Sequence, residues 1–589
     1  MTNKTLLALA FIVLNFSTAF AQRLFNNNKV SQTINLIDRL YVEEVNLDKI
    51  MNKCIATILH ELDPHSVFIP AKDVEKSNEE LNGTFVGIGV AYHIMNDTIT
   101  VVEVLKGGPS ENVGLLAGDK IITINGIKAV GDSVTNSYCN KKLRGKKGSR
   151  VNVGVRRNND DKLIEFEIKR GKIPIKNINT YFMIDKTTGY IALERFSRSS
   201  NEELTKVLNE LKEQGLKNLI FDLRGNGGGY MDVAVDIADQ FLSEDKLIVY
   251  TEGRGVGKET HNSTSKGLFE SGKLVILIDE YSASGSEIVA GAVQDWDRGI
   301  VIGRRSYGKG LVQRMYPVGN SDQLRLTVSR YYTPSGRCIQ KPYNDGLKNY
   351  YNDIMNRLSH KELVDPDSIR IPDSVKFFTH NKRVVYGGGG IMPDVFVPID
   401  TTRISDYYVK IKSKGLIDNF CLEYSNLYRE DILKDYPTYE DFDKHYKKLK
   451  VHEKFIEFIE NAGIKETDIN TDKITHWISK AIRSEIKDSA FSLKGENYKE
   501  CAKEMLSNPK IMEKVLKLAA EEDSENKQIV NKSNEFIRMQ VKAVIARLLY
   551  GKKYYYETMN ELDNGYKKAL NIIKNNSAFR KHDIDYKSK

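Results

Sequence analysis

The sequence predicts a multidomain α/β protein, on three observations. Its 589 residues leave room for roughly four units at a loose prior of about 150 residues each. Gly and Pro, which punctuate turns, crowd into the first two thirds. Of 42 glycines only Gly415, Gly463, Gly495, Gly551 and Gly565 follow residue 400, and of 13 prolines only Pro437 and Pro509 do. Between Gly189 and Ile302, apolar runs of strand length alternate with amphipathic helical patterns, as in an α/β layered core. With 40% hydrophobic, 28% charged and 9% aromatic residues, the chain can bury ordinary cores, which excludes global disorder and a polytopic membrane protein. The net charge of +9, from 88 Lys+Arg against 79 Asp+Glu, comes without a basic block, so no nucleic-acid partner is expected.

Residues 1–21 read as a secretory signal peptide: Lys4, an apolar run from Leu6 to Phe16 broken only by Asn15, then Ala19-Phe20-Ala21, with cleavage after Ala21. That run falls well short of the roughly 20 residues a bilayer demands. No transmembrane span is expected after signal cleavage, and the expected location is periplasmic, membrane-associated or extracellular. Residues 22–80 form an N-terminal helical segment, broken at Asp63-Pro64-His65-Ser66 because Pro64 cannot continue a helix. Five cysteines, Cys54, Cys139, Cys338, Cys421 and Cys501, lie too far apart for a CxxC pair or a zinc knuckle. No cofactor and no metal site are expected.

From 81 to 172 the period becomes that of a β module. Phe85-Val-Gly-Ile-Gly-Val90 leads to an Asn96-Asp97 turn, an Ile99/Val101 strand, the Asn125-Gly126 hairpin signal, and alternating Val151, Val153, Val155. After a polar turn from Asn158 to Asp161, Ile164, Phe166 and Ile168 alternate again. Gly87 and Gly89 lack β-carbons, so backbone N–H groups there can converge on a carboxylate. With Gly108-Pro-Ser110, Gly118-Asp-Lys120 and Leu143-Arg-Gly145, the module resembles a PDZ domain of secreted processing proteases. The resemblance makes Phe85, Gly87, Ile88 and Gly89 the peptide-binding loop, ahead of a strand edge that pairs with the peptide.

Residues 173–400 carry the chemistry. A strand from Gly189 to Leu193 precedes an expected capping box of Ser200 and Glu203, then Leu204, Val207, Leu208 and Leu211 at helical spacing. Asn218–Leu223 runs into Arg224-Gly-Asn-Gly-Gly-Gly229 and a helix through Ala234 and Ile237; Leu247–Tyr250, Leu274–Ile278 and Ile300–Ile302 are further strands. Gly303 to Lys309 fits GxxxxGK, but Gly310 stands where a magnesium-binding hydroxyl belongs, which argues against a phosphate loop. Gly225 to Tyr230 fails the dinucleotide pattern at its last position.

In Ser282-Ala-Ser-Gly-Ser-Glu287, Ser284 and Glu287 fit a helix capping box. A serine at a helix N-terminus behind a strand is equally how a nucleophile meets the dipole and free N–H groups of an oxyanion site. No GxSxG elbow occurs and the ten histidines nominate no triad. A lysine can be the base if its pKa falls from about 10.4 toward 7 or 8. Lys309, between Gly308 and Gly310 and before Leu311 and Val312, is placed for burial, and Arg304 and Arg305 would push the same way if pointed inward. A structural lysine paired with a carboxylate fits the local sequence equally well.

Ser282–Ala292, Gly308-Lys-Gly-Leu-Val-Gln313 and Arg330–Arg337, with Asp222–Gly229 and Gly390–Val395, resemble in order the signature blocks of the C-terminal processing (tail-specific) peptidases, family S41. The resemblance implies a crotonase-like ββα protease core preceded by the PDZ module, and a Ser–Lys dyad. It puts the nucleophile on Ser284, the general base on Lys309 and a residue orienting that base on Gln313. The oxyanion hole falls to the backbone N–H of Gly285 with one from Gly228 or Gly229. Ser282 and Ser286 become helix-entry and packing residues. The chain departs from the family at Gly285, where Ala is usual, at Gly227, where Pro is common, at Arg304 to Tyr307, and at Cys338, read as a free thiol. The expected partners are protein or peptide substrates with a free C-terminus, with an envelope adaptor lipoprotein and a homo-oligomer as further candidates. A catalytically silent PDZ scaffold of the cell envelope is the alternative function; an acyl-coenzyme A enzyme is disfavoured by the export signal. Residues 401–589, where Ile511, Val515, Leu516, Leu518 and then Phe536, Val541, Val544, Ile545, Leu548 recur at helical spacing, form an all-α support region without a catalytic constellation.

Overall fold

The computed structural model describes residues 29–584 and 586, apart from 96, 158–161, 320, 370–374 and 465–531. The expected signal segment, Asn96, the turn from Asn158 to Asp161, Cys501 and the Ile511–Leu518 run lie outside the described residues. The chain opens with helices α1 (29–40) and α2 (Leu47–His60). The expectation of helices alone then needs correction: β1 (Val67–Ile69) is a strand, followed by α3 (Ala71–Asn82). Asp63 is the reason, since its Oδ1 accepts the N–H of His65 (2.8 Å) and of Ser66 (2.9 Å) and turns the chain out of the helix.

The β module is built from β2 (Thr84–Gly87), β3 (Val90–Met95), β4 (Thr98–Val104), β5 (Lys120–Ile124), β6 (Ile127–Lys128), β7 (Arg150–Arg156), β8 (Ile164–Lys169) and β9 (Gly171–Pro174). Strands β3-β4-β5-β7-β8 form one sheet with β6 on β5, and β2 pairs with β9. Val151, Val153, Val155 and Ile168 line its core, flanked by α4 (Pro109–Asn112) and α5 (Asn136–Leu143). Asn125 and Gly126 both take positive φ, 51° and 75°, as a two-residue hairpin turn demands.

The central sheet is β10 (Ile178–Met183), β11 (Thr188–Leu193), β12 (Asn218–Asp222), then, after β13 (Leu247–Gly253) and β14 (Val256–Asn262) of another sheet, β15 (Lys273–Ile278) and β16 (Ile300–Gly303). Its order is β10-β11-β12-β15-β16 with Val395–Phe396 at the edge, parallel except for β10. Such strands are buried on both sides. Leu219, Phe221, Leu274, Ile276 and Ile278 face a core closed by α6 (Ser200–Glu213), α7 (Met231–Asp239) and α8 (Gly285–Asp295). The alternating Ile220, Val275 and Leu277 face a second cluster completed by Ala569, Ile572, Ile573 and Phe579, far along the chain. The helix α6 starts from Ser199, not from the expected Ser200. Ser200 turns its hydroxyl back to the Ser197 N–H (2.8 Å), and Glu203 binds the Asn177 side chain (2.6 Å) and the Ser199 hydroxyl (2.9 Å).

A second, antiparallel sheet, β1-β18-β13-β14, takes β17 (Leu311–Val318) on β18 (Asp322–Tyr332). After residue 401 the described elements are helical. Asp406–Ser413, Leu416–Asp435, Tyr439–His445, Val451–Asn461 and 532–550 pack around Phe420, Phe442, Phe455, Ile537, Val541 and Ile545. Lys552–Asn560, Asn564–Asn575 and Ser577–Lys581 follow. The Asn426 side chain lies against Gly118 of the β module. Among the described residues no helix is long and apolar enough to cross a membrane, and Cys54, Cys139, Cys338 and Cys421 are free thiols.

Candidate active site

Strand β15 ends at Ile278, and Asp279 organises the turn that follows, its Oδ1 accepting from the N–H of Gly225 (2.9 Å) and of Tyr281 (3.1 Å). The turn delivers Ser284 to the head of α8 with φ 54° and ψ −110°, a conformation that costs a non-glycine residue about 1–3 kcal/mol. Three serines lie here and only one has its hydroxyl uncommitted to the local backbone. Ser282 Oγ donates to the Leu223 carbonyl (2.8 Å) and Ser286 Oγ to the Asn226 carbonyl (2.8 Å). Ser284 and Glu287 have the capping-box arrangement, the Ser284 side chain beside the Glu287 N–H and the Glu287 carboxylate on the Ser284 N–H, while the Glu287 N–H donates to the Ser284 carbonyl (2.9 Å). The helix end is closed through the backbone, by Ser284 N–H to Glu287 Oε2 (2.8 Å). Ser284 is half-buried while its neighbours Ala283 and Gly285 are buried.

Glu287 joins this turn to the lysine loop. Its carboxylate is fully buried and accepts from Ser306 Oγ (2.5 Å) and the N–H of Gly308 (2.7 Å) and Lys309 (2.9 Å), besides Ser284. Burial pushes its pKa up and these donors pull it down. One oxygen, Oε2, thus holds the N–H groups of both Ser284 and Lys309, so their nitrogens can be no further apart than 2.8 and 2.9 Å end to end. The Lys309 amine has no carboxylate within ion-pair distance among the described residues. Burial lowers its pKa first, and the Arg325 guanidinium lowers it further, against smaller opposing effects of Glu287 and Asp63.

The expectation that Arg304 and Arg305 press on Lys309 is corrected. Arg304 is paired with Glu280 (2.6 Å), and Arg305 clasps Glu362 through two hydrogen bonds (2.5 and 2.7 Å). Carboxylates neutralise both, and the cation acting on the lysine is Arg325 of β18. Gln313 lies on β17, four residues after Lys309, with its Nε2 on Thr327 Oγ1 (3.3 Å). Thr327 Oγ1 in turn donates to Asp63 Oδ1 (2.9 Å). The Asp63–Ser66 turn therefore braces the site from the N-terminal segment.

His65 in that turn bonds Tyr350 through Nε2 (2.7 Å). Its pKa is pushed down to about 3, by burial first and by Lys309 second, so the imidazole is neutral. Asp63, His65, Arg325 and Tyr350 escaped the sequence reading. The Asp63-Pro64-His65-Ser66 string was visible there, but as a helix terminator.

The glycine loop after β12 completes the site. A Cβ on Gly228 would lie 2.7 Å from the Ala283 carbonyl and 2.8 Å from the Gly285 nitrogen and Ser284 Cβ, so this glycine allows the two turns to touch. The Gly228 N–H is spent on Asn226 Oδ1 (2.8 Å). Gly229 presents its carbonyl-side neighbours to Phe196, Tyr230 N–H donating to the Phe196 carbonyl (2.9 Å), while no acceptor faces the Gly229 N–H among the described residues. Gly285 abuts Phe196 and Ala234, where a Cβ would lie at 3.2 Å; the Phe196 ring fills space that an alanine would need.

In the β module, Phe85, Gly87, Ile88 and Gly89 lie together on β2 and its link to β3. Gly89 has φ 81°, the Arg144 guanidinium lies 4.7 Å over the Phe85 ring, and among the described strands β3 is hydrogen-bonded to β4 alone, at the edge of its sheet. Ile88 belongs to the module core, and Gly87 and Gly89 on either side of it are buried too.

Family comparison matches three regions: peptidase family S41 over 187–349, a PDZ domain over 86–169, and a family of unknown function over 407–492. The chain is similar to the carboxy-terminal processing protease CtpB of Bacillus subtilis, 33% identical over 320 residues, or 53% of this chain and 65% of that protein. It is also similar to a carboxy-terminal-processing protease of Bartonella bacilliformis, 31% identical over 355 residues, or 58% of this chain and 81% of that one. The matched part thus spans less than two thirds of the Bacillus protein and more of the Bartonella one. Among solved structures, a photosystem II D1 C-terminal processing protease aligns with 24% identity and a TM-score of 0.31, covering 52% of this chain and 89% of that one.

Proposed function

Because the chain belongs to peptidase family S41, we propose that it is an exported serine endopeptidase that captures protein C-terminal tails on its PDZ module and cuts with a Ser284–Lys309 dyad. The observation that carries this reading is the single Glu287 oxygen gripping the N–H of both residues, with the Ser284 hydroxyl unspent on the helix and the Lys309 amine without a carboxylate partner. Neutral Lys309 takes the Oγ proton as Ser284 attacks the scissile carbonyl. The Gly285 N–H and that of Gly229 steady the oxyanion, Gly228 serving as the close contact. When the C–N bond breaks, the lysine ammonium returns its proton to the departing amine and leaves an ester on Ser284. Water, deprotonated by the same amine, then hydrolyses the ester.

Gln313 fixes the lysine loop through Thr327 and Asp63. We read the core as crotonase-like, with the β module, residues 81–172, set before a protease core of 173–400. A substrate carboxylate would rest on the Phe85–Gly89 loop and its chain along the edge strand β3. The Lys4 to Ala21 pattern supports work outside the cytoplasm.

The test is cleavage of an unfolded protein by purified enzyme. Ser284→Ala and Lys309→Ala should each lose at least about 1,000-fold in kcat while keeping the native circular dichroism spectrum. A fluorophosphonate should label wild type and not Ser284→Ala. Full cleavage by either variant refutes the dyad, and an unlabelled, inactive wild type favours a silent tail-binding scaffold.

A further inference from the structure

We propose that Asp563, in the C-terminal helical region, is a positioning residue for the oxyanion loop, acting through Arg224; this rests on the peptidase reading above. Arg224 is the second residue after β12 and opens the glycine loop that ends against Ser284. Its guanidinium spans two carboxylates. Nε (3.0 Å) and Nη2 (2.6 Å) reach Asp222, and Nη1 reaches Asp563 Oδ2 (2.7 Å). Asp563 is the N-cap of Asn564–Asn575, with its other oxygen accepting the Tyr566 N–H (2.8 Å). The two oxygens therefore have separate duties, one to its own helix and one to the loop.

A second contact runs beside the first. The Tyr566 ring meets Tyr190 edge-on at 5.6 Å, and the Tyr190 hydroxyl donates to Asp222 Oδ2 (2.7 Å). The C-terminal region thus grips both members of the Asp222–Arg224 pair at the root of the loop. Downstream the loop is tied to the nucleophile turn: the Asn226 carbonyl accepts from Ala283 N–H (3.0 Å) and Ser286 Oγ (2.8 Å), and Gly228 lies on Ser284. Only four residues, Gly225 to Gly228, separate the guanidinium from the Gly229 N–H. Oxyanion donors must sit where charge develops, and an error of about 1 Å can cost about 100-fold. An anchor at the loop root limits that error.

The chemistry permits a clean separation of the two duties. Asparagine caps a helix as well as aspartate does, so Asp563→Asn keeps the bond to Tyr566 N–H and removes the charge facing Arg224. In the full-length enzyme, at a temperature where circular dichroism shows it folded, Asp563→Asn should lower kcat about tenfold and leave KM within about twofold. Affinity for a peptide boronic acid, which forms a tetrahedral adduct on Ser284, should fall by a similar factor, while affinity for the matching peptide carboxamide stays unchanged. Arg224→Lys, which cannot span both carboxylates, should reproduce the pattern. An unchanged kcat in Asp563→Asn, or boronate and carboxamide affinities that fall together, overturns the proposal. Undiminished cleavage by Ser284→Ala would instead overturn the peptidase reading.

Discussion

Lys309 shows what one side chain owes to its surroundings. Burial is the first cause of its lowered pKa and Arg325 the second. The acid limb of a rate profile governed by this amine therefore lies below the ordinary lysine value of about 10.4, with activity rising as pH rises and the ammonium loses its proton. Removing the Arg325 cation strengthens proton binding and moves the limb upward. Arg325→Gln should shift it to the alkaline side, read from kcat/KM against pH; no shift, or an acid shift, contradicts the assignment. Sequence alone left Ser284 and Lys309 as candidates, since a cap and a structural lysine have the same local signature. Arg325 and His65 were not legible at all, because they reach the site from a strand and a turn that no local period links to Lys309. The neighbouring Arg304 and Arg305 misled for the converse reason: sequence proximity says nothing of Glu280 and Glu362, which absorb them.

At the scale of elements, the site is three turns brought to one place: the head of α8, the Gly303–Leu311 loop and the glycine loop after β12. Most of these strands and helices were readable, because Val, Ile and Leu at period two or at helical spacing report which face is buried. Leu204, Val207, Leu208 and Leu211 all lie in the core of α6. Less readable was β1, three residues long and dependent on β18 for its hydrogen bonds, and the cap of α6, which long-range bonds to Asn177 displaced. The glycine loop makes a prediction of its own. Gly228 has φ 93° and no room for a methyl group, whereas Gly227 has open space around it. Gly228→Ala should lower kcat/KM at least about 100-fold, and Gly227→Ala should stay within about threefold. Equal kinetics for the two variants would deny that the turns touch in the working enzyme.

The whole molecule is organised around a sheet that two different parts of the chain cover. One face is closed by α6 to α8, whose sequence lies between the strands, and the other by Ala569, Ile572, Ile573 and Phe579. The helical character of the described part of the last third was foreseeable from the scarcity of Gly and Pro there, but not which face it would find, since an apolar stripe does not name its partner. Phe579 is 1% exposed, and Phe579→Ala should cost about 3–5 kcal/mol and lower the midpoint of thermal unfolding, with turnover at low temperature retained. A melting temperature unchanged by this substitution would show the second face to be sealed by other means. Helices made so late in translation impose an order of events: a ribosome finishes and releases the strands long before their outer cover exists. The nascent sheet therefore waits with one face unclothed until Ala569, Ile572, Ile573 and Phe579 follow it out.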